Sequence, residues 1–133
     1  MPTGLTRDAG WEIGVSRSLP VTIDEAWTFL VSDHGVALWL GAGAALPDHP
    51  KEPIATADGG SGELRSFRPL DRVRIRWQPG GWDHPTIVQC TVSGGTARTT
   101  IRFHQEHLAD STERERQRSH WRAVMDRVEE ALG

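Results

Sequence analysis

The closing segment STERERQRSHWRAVMDRVEEALG, residues 111 to 133, constrains the fold of this chain more than any other stretch. Trp121, Val124, Met125, Val128 and Leu132 recur at intervals of three or four, so they lie along one side of a helix. The preceding ERERQRSH has no such stripe and reads as a solvated, salt-bridged end, with Ser111 or Thr112 as cap. A helix with one apolar stripe must lay it on another element, and the rest of the chain offers mainly strands.

Those strands read WEIGVSRSL (11–19), GELRSF (62–67), DRVRIRWQP (71–79), PTIVQCTVSGG (85–95) and ARTTIRFHQEHL (97–108), the last two joined by a tight turn at Gly94-Gly95. Side chains alternate between faces along a strand. Val73, Ile75 and Trp77 therefore share one face with Val88, Cys90, Val92, Thr99, Ile101, Phe103 and Gln105. Arg72, Arg74, Arg76 and Arg102 fall on the other. The dense basic stretch RVRIRW is thus one outer face of a sheet, and only Arg17 breaks the alternation of the first strand.

Between the first strand and the others, VTIDEAWTFLVSDHG carries a capping-box signature at Thr22 and Glu25. Ile23, Trp27, Leu30 and Val31 then share one helical face, and Gly35 is the expected stop or bend before a second helical piece, VALWLG. Residues 41 to 62 are rich in Gly, Ala and Pro, with one short strand near Ile54, and form a candidate lid.

A chain of 133 residues is read as a single domain spanning 1–133. With 15 basic against 18 acidic residues the formal charge is −3, which excludes a generally nucleic-acid-binding surface. The one cysteine, Cys90, cannot form an internal disulfide and is read as a buried small hydrophobe. No apolar run is long enough to span a bilayer, so the expectation is a soluble, cytoplasmic protein without membrane insertion. His104 and His107 in HQEH face opposite ways on a strand and differ from the helical zinc motif, so neither a metal nor another cofactor is expected. The Gly-rich DGGSGE lacks a phosphate-loop lysine and reads as a turn. His120 adjoins the apolar stripe, where it can cap a cavity.

Taken in order, VTIDEAWTFLVS, ALWLG, GELRSFRPLDRVRIRWQPGGWDHPT, RTTIRFHQEHL and HWRAVMDRVEEAL resemble the START-like (SRPBCC) superfamily, in the branch of the Hsp90 ATPase activator C-terminal domain. The resemblance implies an α+β helix-grip fold: a curved antiparallel sheet wrapped around a long C-terminal helix, with two short helices after the first strand. It also implies a cavity between sheet and helix for a small apolar molecule, lipid- or polyketide-like. The lining it suggests is Trp27, Trp39, Leu40, Trp77, Trp82, Phe103, Gln105, Trp121 and Met125. Six tryptophans are enough to make that cavity small. Two other functions belong to such relatives: polyketide cyclase or aromatase chemistry, and interaction with a chaperone or other protein. Arg72, Arg74, Arg76 and Arg102 form a candidate anion or partner face. The expected assembly is a monomer or homodimer.

Overall fold

A computed structural model describes residues 3–6 and 10–133. In chain order its elements are β1 (Leu5–Thr6), β2 (Gly10–Leu19), α1 (Ile23–Val31), α2 (Asp33–Leu40), β3 (Pro53–Ala55), β4 (Ser61–Arg68), β5 (Arg72–Gln78), β6 (Thr86–Gly94), β7 (Thr99–Leu108) and α3 (Ser111–Leu132). The strands form one antiparallel sheet in the order β1-β2-β7-β6-β5-β4-β3. The helix α3 packs on β2 and β7, while α1 lies against β6 and β7. This is the α+β arrangement expected from the sequence.

The strand alternation explains which side the helices cover. Val73, Ile75, Trp77, Val88, Cys90, Val92, Ile101 and Phe103 are all buried on the inner face. Trp121, Val124, Met125 and Val128 of α3 are buried as well, and each fully buried side chain of this kind contributes about 1.5–3 kcal/mol. Arg17, the exception in β2, points to the helix side and pairs with Asp126 and Glu129 of α3, both at 2.8 Å. A charge on an inner-face position is tolerated there because the strand runs beside the polar flank of the helix.

Four details differ from the sequence reading. Asp110, rather than Ser111 or Thr112, caps α3: its carboxylate accepts from Glu113 N at 2.8 Å. The bend between α1 and α2 falls at Ser32, whose hydroxyl accepts from Gly35 N at 3.0 Å. Gly35 lies inside α2, where a Cβ would sit 1.9 Å from the Phe29 carbonyl oxygen; it permits a close helix approach instead of stopping a helix. The β6–β7 connection spans residues 95–98 and closes with Gly95 N donating to Arg98 O at 3.0 Å, so it is longer than a Gly94-Gly95 turn. The capping box of α1 is present, with Glu25 N donating to Thr22 Oγ1 at 3.1 Å.

Candidate functional site

At the end of the sheet where β5 leaves for β6, the inner face and α3 diverge and leave a cavity of about 250 Å³. Strand β5 supplies Trp77, β7 supplies Gln105, and α3 supplies Gln117, His120 and Trp121 one turn apart. The β5–β6 loop adds Pro79, Gly80 and Trp82; α2 ends on it with Leu40, and the β3–β4 turn contributes Asp58. A second recess of about 340 Å³ shares Leu40, Asp58 and His120 with it and reaches Trp39 and Arg127.

Gln105 forms the polar floor. It is wholly buried, and its Oε1 accepts from Trp121 Nε1 at 2.9 Å and from Gln117 Nε2 at 2.8 Å. Its Nε2 donates to Thr86 Oγ1 at 3.0 Å, and that hydroxyl donates in turn to the Trp77 carbonyl at 2.6 Å. The direction of every bond in this chain is fixed, because the Trp77 oxygen can only accept and the Trp121 nitrogen can only donate. One amide hydrogen of Gln105 is left without a partner among the described residues.

The wall opposite is a braced loop. Trp82 N donates to Pro79 O at 3.1 Å, and Gln78 Nε2 donates to Trp82 O at 2.5 Å. The Trp82 and His84 rings lie 5.2 Å apart, and His84 Nε2 meets Glu113 at the start of α3 at 2.9 Å. Desolvation pulls the His84 pKa down, but the hydrogen bonds to Glu113 and the Pro85 carbonyl and the charges of Glu113 and Asp83 outweigh it, so the imidazole is held above its ordinary value. A pKa raised by folding means that the pairing stabilises the fold below about pH 6.5 and is lost as pH rises through the raised value. The expected NMR titration of His84 is therefore displaced upward, and in Glu113→Gln it should fall back toward about 6.5. An unchanged His84 titration in that variant would remove Glu113 as the cause.

His120 sits at the mouth. Its side chain is exposed, but the ring packs edge-on to Trp121 with centroids 4.8 Å apart. Desolvation on that side, together with the charge of Arg127, lowers its pKa. Asp58 is placed by a tight turn in which Thr56 Oγ1 donates to its carboxylate and Gly60 N donates to both side chains. The Thr56 hydrogen bond, then that of Gly60, keeps the Asp58 carboxyl below its usual range despite desolvation. Segment 41–62 is therefore anchored here by the β3–β4 turn, with Ala57 N also donating to Ala42 O at 2.8 Å.

Of the nine lining residues suggested by the sequence, Leu40, Trp77, Trp82, Gln105 and Trp121 meet around the first cavity, and Trp39 borders the second recess. Trp27, Phe103 and Met125 lie in the packed core: Trp27 is against Phe67, and Phe103 is sandwiched between Trp39 and Trp121. Strand parity identifies the inner face but not which end of it stays open. Asp58, Pro79, Gly80 and Gln117 were not anticipated, since three of them lie in turns and Gln117 in the apparently featureless half of α3.

Other candidates resolve simply. Burial pushes the Cys90 thiol far above its ordinary pKa, which makes it inert. His104 is engaged by Glu12 at 3.1 Å and Glu106 at 3.5 Å, while His107 is exposed at the end of β7. Among the described residues no helix is long and apolar enough to cross a membrane.

No family model and no curated protein matches the sequence. Solved structures do match its fold. DynU16, a protein of the dynemicin biosynthetic locus, is 22% identical with a TM-score of 0.75 over 91% of this chain and 46% of its own, so the chain spans about half the length of that protein. CalU16 from Micromonospora echinospora is 16% identical, TM-score 0.75, covering 96% of this chain and 87% of its own. An HSP90 activator from Plasmodium falciparum is 13% identical, TM-score 0.76, covering 92% and 96%. The chain has the START-like, helix-grip fold of these proteins, a likeness of fold alone.

Proposed function

We propose that the chain binds a small, largely apolar molecule with one polar edge in the cavity over Gln105. The observation that carries this reading is the buried carboxamide itself. Three partners hold it rigidly, and one of its amide hydrogens has no partner among the described residues, beside a space walled by Trp77, Trp82 and Trp121 and rimmed by Asp58, Gln117 and His120. Apolar walls with a few fixed polar groups are what small-molecule sites require.

Size narrows the ligand. A volume of about 250 Å³ lies below the roughly 300–1,000 Å³ of drug-sized sites. Trp39, Phe103 and Trp121 fill the space in which a long acyl chain or multi-ring polyketide would have to lie. A one- or two-ring aromatic bearing a carbonyl or hydroxyl acceptor fits better, stacked between Trp82 and Trp121.

Native mass spectrometry of the purified protein, followed by denaturing extraction and a thermal-shift panel of small aromatic carbonyl compounds, tests this. The expected result is a stoichiometric adduct or a saturable shift that Trp82→Ala abolishes while moving the unliganded Tm only slightly. A clean mass joined to no shift across the panel would overturn the reading.

A further inference from the structure

The outer face of the sheet carries charge that the cavity does not use. Register places Arg68 of β4 opposite Arg72 of β5, Arg72 opposite Thr91 of β6, and Thr91 opposite Arg102 of β7. Adjacent strands are about 4.8 Å apart, so this is one short row of three guanidinium groups and a hydroxyl. Like charges directly opposite each other on a sheet face repel.

Among the described residues no carboxylate forms an ion pair with the row. Arg68, Arg72 and Arg102 make no ion pair, whereas in the adjoining rows Arg74 reaches Glu106 at 3.3 Å, Glu12 and Glu106 flank His104, and Glu63 meets Arg65 at 3.5 Å. The charge of Arg102 does act on Glu12, and its guanidinium lies toward β2, over Gly14, where a Cβ would fall 2.5 Å from Nη2. Arg102 therefore adds charge at the margin more than a donor at the centre. The exposed Asp71 in the β4–β5 turn makes no ion pair with either flanking arginine.

A second observation falls at the same place. Arg72 Nε and Ser66 Oγ are shielded from water and have no hydrogen-bond partner among the described residues. Ser66 lies on β4 two residues before Arg68, on the same face, and opposite Arg74. Sheltered donors of this kind are ordinarily paired.

We propose that Arg68, Arg72 and Ser66 form a binding site for a phosphate group, with Thr91 and Arg102 at its edge. A carboxylate would balance one of three cations; a phosphate monoester carries close to two charges and offers three acceptor oxygens to guanidinium and hydroxyl donors. Its source is either a soluble phosphate ester or a lipid headgroup. The turn closing this hairpin bears on the choice, because it presents Leu70 at 43% exposure with a left-handed φ of 60°.

The test is an NMR titration with inorganic phosphate against sodium chloride of equal ionic strength, alongside co-sedimentation with phosphatidylcholine vesicles with and without phosphatidic acid. Phosphate is expected to shift the Arg72 Nε–Hε signal and the Ser66 and Arg68 amides saturably, with affinity at least about tenfold weaker in the Arg68→Gln, Arg72→Gln double variant. Arg116→Gln, on the exposed side of α3, should leave it unchanged. Vesicle binding that needs phosphatidic acid and is lost in Leu70→Asn supports a lipid source; phosphate binding without it supports a soluble ester. Equal shifts with chloride, or undiminished phosphate affinity in the double variant, would overturn the proposal.

Discussion

Trp121→Ala is expected to destabilise the protein by roughly 3–5 kcal/mol, the range for removing a large aromatic side chain from a packed core. Trp121 is 2% exposed and stacks on Phe103 with centroids 5.0 Å apart and planes at 15°. It joins α3 to the middle of the sheet, and its indole N–H is one of two donors to Gln105 Oε1. Losing it opens a void that the neighbouring Trp39 and Phe103, themselves fully buried, are poorly placed to fill. For a chain of this size the loss corresponds to a fall in Tm on the order of 10–20 °C. Thermal and urea unfolding of parent and variant would measure it. A variant melting within a couple of degrees of the parent would show that α3 is not held through this residue. Trp82→Ala gives the contrast, because Trp82 is half-buried on a loop and forms wall more than core.

That contrast also marks how far the sequence could be read. The two-residue period along β5, β6 and β7 separates inner from outer side chains correctly, since alternation follows from backbone geometry alone. The stripe of α3 is legible for the same reason. Arg17 looked like an error in the pattern because its explanation, Asp126 and Glu129, lies 109 and 112 residues away. Gly35 was misread because a glycine that ends a helix and one that lets two helices touch look alike in one dimension. Trp39 is committed to the core by its indole N–H on the Leu30 carbonyl at 2.9 Å, a tertiary hydrogen bond that no local pattern announces. The rest of the cavity's polar rim was hidden differently: Asp58 and Gln117 join His120 from a turn and a solvated helix end, and only the fold makes them neighbours.

Gln105→Glu should produce an effect of comparable size, and one that depends on pH. The substitution keeps the size of the side chain and replaces one amide with a carboxyl. At that position Thr86 Oγ1 already gives its proton to the Trp77 carbonyl, so it can only accept from residue 105. A protonated carboxyl can donate to it and still accept from Gln117 and Trp121, whereas a carboxylate turns an oxygen against an acceptor in a site with 0% exposure. Burial and this acceptor contact should raise the folded pKa of the substituted carboxyl by several units above the unfolded value of about 4.3. Between those two values the folded state holds a proton that the unfolded state releases, so stability falls as pH rises, by about 1.4 kcal/mol per unit. The variant should approach parental stability near pH 4 and lose roughly 4–5 kcal/mol by pH 8, relative to the parent at the same pH. Urea unfolding of both proteins across that range gives the difference directly. A loss independent of pH would mean that the Thr86 hydroxyl can turn away from Trp77, that the hydrogen-bond directions at the cavity floor are not fixed, and that Gln105 does not impose a polarity on whatever binds above it.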